Sequence, residues 1–310
     1  MKILVVGVGV VGSVYAAKLV QAGHSVDVVA RGQRAAELRA SGVRLKRAGA
    51  DHVEVIPVPV VDLPAAHPGY DLVLAAVRFE QLPGLLPVLA NSTGNCDVLI
   101  FTNTAGRSTA IAETLGPRCL LGFPSVGGFL SAGAVTYVLI RQQKTMLGEI
   151  GKASSARLDR LSTVFSGAGF ATKTTARIDA WLLGHAAFVA PIAGALYRCD
   201  TDPRRLASDR QALKLMVEAT REAFRALLGN QLVEIPANLK ALYLRAPATF
   251  TVEYWRRTFA GPRGELWFAA HARAAREEME SVAAHLLDVV RATGNPADDL
   301  ARLLSPPPRS

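Results

Sequence analysis

The spacing with the clearest chemistry lies near the amino end. There Gly7, Gly9 and Gly12 form GVGVVG between an aliphatic run, KILVVG from Lys2, and a small-residue stretch, SVYAAKLVQAG. Strand, glycine turn and helix in that order is the unit in which a dinucleotide pyrophosphate rests on the backbone amides of a helix N-terminus. On this reading Gly7 permits the tight turn, Gly9 lets the backbone of Val8, Val10 and Val11 approach the phosphates, and Gly12 lets the helix pack close to its strand. A glycine-rich turn with a purely structural role is the alternative.

Which dinucleotide is read at the end of the next strand, HSVDVVAR. A chain that takes NAD usually carries an acid there to accept from the ribose 2′-hydroxyl; here Ala30 and then Arg31 follow, and Asp27 comes too early in the strand. A guanidinium suits a 2′-phosphate, so NADP is expected in preference to NAD. Arg34, one helical turn further on, either assists or is solvated.

Two further apolar runs, YDLVLAAV ending at Arg78 and CDVLIFTN leading into TNTAG, have the character of buried strands. Ligands in such sheets bind beyond the carboxyl ends of the strands, which puts Arg78, Asn103 and Thr104 at a cofactor-facing edge. Asn103 offers an amide beside a nicotinamide or a substrate. Capping of the following helices is the competing role for all three.

The elements that must position these residues describe an α/β chain: a Rossmann-type dinucleotide-binding domain followed by an all-helical domain. After CLLGFPSVGGF, the runs AVTYVLI and KTMLGEIG are expected to pair as antiparallel strands. ASSARLDRLSTVFSGAG follows as a helix and FATKTT as a last strand. From Ile178 onward the pattern is helical, so the boundary is set near Ala176, with domains at 1–175 and 176–310.

Composition narrows the function classes. A chain of 310 residues with 50% apolar content can bury two cores. Cys96, Cys119 and Cys199 fit neither a disulfide framework nor a metal cluster, which points to a reducing compartment such as the cytoplasm. The opening apolar run is broken by three glycines and ends at Lys18, so neither a signal peptide nor a membrane segment is expected. The net charge of +9 is scattered among acids, as in RAAREEMESV, and predicts no nucleic-acid partner. A small-molecule substrate is the expected partner.

Taken together, GVGVVG, Arg31, AVRFEQL around Arg78, FTNTAG around Asn103 and the all-helical second half resemble the ketopantoate reductase family. The resemblance implies reduction of 2-dehydropantoate with NADPH in pantothenate biosynthesis, and a helical domain of the 6-phosphogluconate dehydrogenase type. It also implies that Arg31 contacts the 2′-phosphate, that Arg78 stands where the family usually has a lysine, and that Asn103 is the family's asparagine, with Thr104 in place of a glycine. Near the carboxyl end, RAPATFTVEYWRRTFAGPRGELWFAAHAR resembles the family's substrate segment. There Glu265 matches a substrate-binding glutamate, Thr249 takes the place of a substrate-contacting serine, and His271 falls at an Asn-Gly pair.

The family's catalytic lysine follows a Trp-like position by two residues, with asparagines four and eight residues further on. Anchored on Trp181, those places hold Leu183, Ala187 and Pro191, none of which donates a proton. Hydride delivery to a carbonyl carbon builds an alkoxide that needs a donor beside it. His185 is the titratable side chain nearby, but it lies about 200° around the helix from Leu183. A two-residue slip places His185 at the lysine position and Val189 and Ala193 at the asparagines. His185 is therefore a substrate-polarising acid, a satisfied core histidine or a surface residue, and the sequence leaves these open. Pro191 is expected to kink its helix.

Arg256, Arg257 and Arg263 either bind a substrate carboxylate or are solvated, and Glu265 has a competing role as a first-turn helix acid. The expected function is an NADPH-dependent oxidoreductase acting on a CH–OH group, reducing a small 2-oxo acid-like carbonyl or an imine. The expected catalytic residues are His185, Glu265 and Asn103. A non-catalytic NADP-binding sensor is the alternative. The apolar stretch LLGHAAFVAPIAGAL predicts self-association as a homodimer.

Overall fold

In the computed structural model, which describes residues 1–63, 69–92, 94–152 and 154–305, the opening aliphatic run is a strand whose residues after Lys2 are all buried. The described strands are β1 (Lys2–Val6), β2 (Ser25–Val29), β3 (Val43–Arg47), β4 (Glu54–Ile56), β5 (Val60–Val61), β6 (Leu72–Ala75), β7 (Asp97–Phe101), β8 (Cys119–Phe123), β9 (Val126–Ser131), β10 (Ala134–Leu139), β11 (Thr145–Gly148) and β12 (Thr172–Thr175). Interleaved with them are α1 (Val10–Gln21), α2 (Gly32–Ser41), α3 (Leu82–Ser92), α4 (Thr109–Leu115) and α5 (Ala156–Gly167).

Contacts divide the chain into two units. The first holds Met1–Thr102 and Arg107–Ile178, and the second holds Asn103–Gly106 and Asp179–Ser310. In the first unit an eight-stranded sheet runs in the order β12-β11-β8-β7-β6-β1-β2-β5. It is parallel from β8 through β5, while β11 and β12 run the other way. Val6 aligns with Val29 on one side and Ala75 on the other, so the chain leaves β1, β2 and β6 at one carboxyl edge. β1 lies between β2 and β6, the place where connections in a doubly wound sheet diverge and ligands bind.

A second, four-stranded sheet has the order β4-β3-β10-β9. Helix α1 packs on β1 and β2 and also on β3, β9 and β10. Being covered on both sides explains why Gly12, Ser13, Val14, Tyr15, Ala16, Ala17 and Leu19 are all buried and why the helix shows little amphipathic contrast. Tyr15 anchors that core: its ring stacks on Phe170 at 3.9 Å, and its hydroxyl shares a 2.5 Å hydrogen bond with Thr145 Oγ1. Burial pushes the phenol up to about 12.

The expected antiparallel pairing of AVTYVLI with KTMLGEIG does not form. β10 pairs with β9 and β3 in the second sheet, whereas β11 joins β8 and β12 in the large one. Burial explains the separation. Every residue of β11 is buried, as a strand covered on both faces requires, while β10 alternates as a half-covered strand does.

The second unit is helical: α6 (Ile178–Arg198), α7 (Pro203–Ser208), α8 (Arg210–Gly229), α9 (Ala237–Lys240), α10 (Ala248–Ala260), α11 (Pro262–Gly264), α12 (Ala270–Ala274), α13 (Arg276–Ala292) and α14 (Asp298–Leu304). Single π-type turns lie at Ala241–Arg245 and Glu265–Ala269. Its core joins Ala187, Leu196, Met216, Phe224, Tyr243, Phe259 and Leu286, and Ala105 from the loop after β7 packs into it. α6 is continuous across Pro191. It is long and apolar enough to cross a membrane by composition, yet 72% of that window is buried inside the protein.

Candidate functional site

At the end of β1 the backbone turns through Gly7 at φ +91°, where a Cβ would sit 2.6 Å from the Ala76 carbonyl oxygen. A Cβ on Gly12 would lie 1.9 Å from the Gly7 carbonyl oxygen. These two glycines are fixed by close approach of turn, strand and helix. Gly9 differs, because a Cβ there would meet nothing within 4 Å. Gly9 caps α1 without a side chain, and the first helical hydrogen bond runs from Ser13 N to Gly9 O at 3.1 Å. The amides of Val10, Val11 and Gly12 therefore have no acceptor within the helix, and they carry the positive end of its dipole. An open face, unsatisfied amides and a helix N-terminus fit a pyrophosphate. Val8, also expected at this site, turns inward: its side chain is buried and its carbonyl accepts from Arg34 Nε at 3.1 Å and Ser13 Oγ at 3.3 Å.

At the end of β2, Asp27 accepts the Tyr70 hydroxyl at 2.6 Å. Burial, and then that bond and charge, hold the phenol well above its ordinary value. Arg31 precedes α2 on extended backbone, and its exposed guanidinium makes no hydrogen bond or ion pair among the described residues. Arg34 is the reverse case, with a guanidinium engaged by protein acceptors on several sides.

Arg78 is exposed and lies 4.0 Å from Glu80, and its backbone N–H donates to Gln81 Oε1 at 3.0 Å, capping a short 3₁₀ turn. Asn103 is buried, and its Oδ1 accepts from Ala105 N at 3.2 Å, an Asx turn that holds Ala105 at φ +52°. Thr104 is fully buried. Sequence reasoning passed over Arg107, whose guanidinium lies 3.9 Å over the Phe79 ring and whose pKa burial lowers. The available signal was its position directly after the TNTAG turn.

In the helical unit, the His185 ring lies nearly parallel to that of Trp181, at 5.3 Å and 13°. The histidine is half-buried; burial first, and then the neighbouring His271, bring its pKa down to about 3. His185 is therefore neutral at pH 7. Leu183, Ala187 and Pro191 are all buried, as is Ala193, and Val189 is partly so. The first alignment thus places buried apolar side chains at all three of the family's polar positions, while the second puts His185 at the lysine position and apolar Val189 and Ala193 at the two asparagine positions.

Glu265 opens the second π-type turn and accepts from Arg273 at 2.9 and 3.4 Å, while Arg273 also donates to the Thr201 carbonyl at 3.1 Å. Thr249 is exposed in the first turn of α10, and His271 is exposed on α12. Arg256 and Arg257 both bond Glu253, at 2.7 and 2.8 Å, and Arg263 lies 5.3 Å from the Trp267 ring centre. Two of the three arginines considered for a substrate carboxylate therefore already share one acid.

Residues 3–152 match the family described as ketopantoate reductase PanE/ApbA. A 2-dehydropantoate 2-reductase from Pyrococcus horikoshii is 24% identical over 181 residues, and the match covers 58% of each chain. Among solved structures, a D-mandelate dehydrogenase in a ternary complex with NADH and anilino(oxo)acetate superposes with a TM-score of 0.76 at 16% identity, covering 98% of this chain and 96% of that one. A PanE/ApbA family ketopantoate reductase from Ralstonia eutropha JMP134 gives 0.77 at 18% identity, with 98% and 96% covered. At these identities the structural likeness speaks for the fold: a parallel-sheet dinucleotide-type domain followed by a helical part.

Proposed function

We propose, for a chain that carries a ketopantoate reductase (PanE/ApbA) family domain, that it is an NADPH-dependent oxidoreductase reducing a small 2-oxo acid-like carbonyl or an imine. The observation that supports this most is the pairing of two features. An open glycine turn at the α1 N-terminus sits one strand from Arg31, whose guanidinium is available while the only acid of β2 is occupied by Tyr70. The amides of Val10, Val11 and Gly12 would hold the pyrophosphate and Arg31 the 2′-phosphate, with Arg78 and Asn103 as further cofactor contacts. Once bound, the dinucleotide supplies the hydride.

Addition of hydride leaves negative charge on the substrate oxygen, and His185 is the proposed donor to it. A neutral imidazole carries one N–H, so it would stabilise the oxyanion by hydrogen bonding with no imidazolium proton to transfer at neutral pH, and the proton that completes the alcohol would come from water. Glu265 and Thr249 are the proposed substrate contacts. Glu265 already accepts from Arg273 at 2.9 and 3.4 Å, and the remaining lone pairs of its carboxylate would accept from a substrate hydroxyl or amine. Self-association through the apolar helical unit belongs to the same proposal, and sedimentation at micromolar concentration tests it.

A non-catalytic NADP sensor is the second reading, and the apolar Leu183, Ala187 and Pro191 favour it. Turnover of NADPH decides between the two. The panel should include 2-dehydropantoate, aryl 2-oxo acids of the kind the D-mandelate dehydrogenase complex suggests, and 2-oxo acids with an amine present. Oxidation of NADPH with any of them supports the reductase. Tight NADPH binding with no turnover across the panel supports the sensor.

A further inference from the structure

We infer that Arg34 is a positioning residue for the dinucleotide turn: it holds the Val8 carbonyl and the start of α1 against the β9–β10 turn, and so sets affinity for both dinucleotides without reading the 2′-phosphate. This rests on the cofactor reading proposed above. A guanidinium carries five N–H groups in a rigid plane, and here four are directed at protein acceptors. Nε donates to Val8 O at 3.1 Å, Nη2 to Ser13 Oγ at 3.1 Å, and Nη1 to both Gly133 O at 3.1 Å and Glu37 Oε2 at 3.2 Å. The side chain is only 16% exposed.

Each contact bears on the turn. A trans peptide is planar with C=O and N–H opposed, so fixing the Val8 carbonyl on Arg34 also fixes the direction of the Gly9 N–H. Ser13, fully buried in α1, donates to the same carbonyl at 3.3 Å, which closes a triangle of Arg34, Ser13 and Val8. The third point is the β9–β10 turn, where Ala132 and Gly133 have φ of +47° and +73° and Arg44 Nη1 reaches the Ala132 carbonyl at 3.4 Å. The glycine turn is thereby tied to the second sheet as well as to the strand it leaves.

The same bonds separate the two arginines of RGQR. Arg34 is consumed by the protein and offers little to a phosphate, whereas Arg31 has no such partners. Arg31 should discriminate between dinucleotides, and Arg34 should set how well either one binds.

The test is titration of the full chain with NADPH and with NADH, alongside backbone amide exchange without ligand, for the wild type, Arg34→Ala, Arg34→Lys, Ser13→Ala and Arg31→Ala. Arg34→Ala should weaken both dinucleotides by about tenfold or more, leave their ratio unchanged, and speed exchange at Gly9–Ser13; Arg34→Lys should recover part of the loss. Ser13→Ala, a milder change that keeps the fold if Arg34→Ala does not, should weaken both by about threefold. Arg31→Ala should weaken NADPH alone. Loss of NADPH affinity alone in Arg34→Ala would make it a phosphate ligand and overturn the inference. So would unchanged affinity and exchange in a folded Arg34→Ala or Ser13→Ala chain. A wild type that binds neither dinucleotide overturns the cofactor reading, and the exchange data then decide separately whether Arg34 holds the turn.

Discussion

The Tyr70 hydroxyl donates to Asp27 Oδ2 at 2.6 Å, and this bond removes the only carboxylate of β2 from contention as a ribose ligand. The acid that would favour NAD is present in the strand, but it serves to tie the strand to the segment before β6. Tyr70→Phe should therefore cost about 1 to 2 kcal/mol of stability, since it leaves a partly buried carboxylate short of a partner. It should leave the NADPH to NADH affinity ratio where it was. Thermal melts and paired titrations check both halves.

The three glycines of the turn should respond in different ways. Gly12→Ala forces a Cβ to 1.9 Å from the Gly7 carbonyl oxygen, so it should unfold the turn and lower stability by several kcal/mol. Gly9→Ala points its methyl into open space and should change stability by about 1 kcal/mol at most. If a pyrophosphate occupies that space, the same methyl should weaken NADPH binding by about tenfold or more. Calorimetric unfolding and NADPH titration of the two variants separate the structural role from the binding role.

Far along the chain, Glu149 is gripped by Lys152 at 2.5 Å, by Ser155 at 2.7 Å and by Arg157, which also bonds Asp97 at 2.9 Å. Burial alone would raise its pKa, but the donors and the Arg157 charge together outweigh it and hold the carboxyl below its ordinary value. A depressed carboxylate contributes stability that is fully present above its unfolded value near 4.5 and is lost as pH falls through the folded one. Glu149→Gln should lower stability by about 2 kcal/mol at pH 7 and flatten the acid limb of a stability-against-pH curve.

His185 has the opposite chemistry and the same sign. Its folded pKa of about 3 lies below the ordinary 6.5, so the unfolded chain binds the extra proton first and stability falls as pH drops from 6.5 toward 3. His185→Asn should remove that part of the slope. In the reductase reading it should also cut turnover by about 100-fold while leaving NADPH affinity unchanged, and the wild-type rate should show no break near pH 6.5 from this group. Stability curves and pH–rate profiles of the pair check the outcome.

Much of the fold was legible because its signals are local. The aliphatic run into GVGVVG gave strand, turn and helix, and the loss of strand pattern after Thr175 gave the helical second half. The second sheet was hard to read because its pairings are not local: β3 joins β10 in parallel across some ninety residues, and nothing in VRLKR or AVTYVL announces the other. The sequence points Arg31 at a 2′-phosphate but leaves Arg34 either assisting it or solvated. Both are arginines on one short stretch, and what distinguishes them includes acceptors brought in from elsewhere in the chain: the carbonyls of Val8 and Gly133 and the hydroxyl of Ser13. The same holds for Glu265, whose partner Arg273 lies eight residues on, across a π-type turn that breaks the helical spacing.

In the proposed function the open glycine turn and Arg31 together hold a phosphorylated dinucleotide. The most direct measurement is a calorimetric titration of the wild-type chain with NADPH and with NADH under identical salt. NADPH should bind at least about tenfold tighter than NADH, with the difference abolished in Arg31→Ala. Equal affinity for the two, or no heat from either at millimolar concentration, would contradict it.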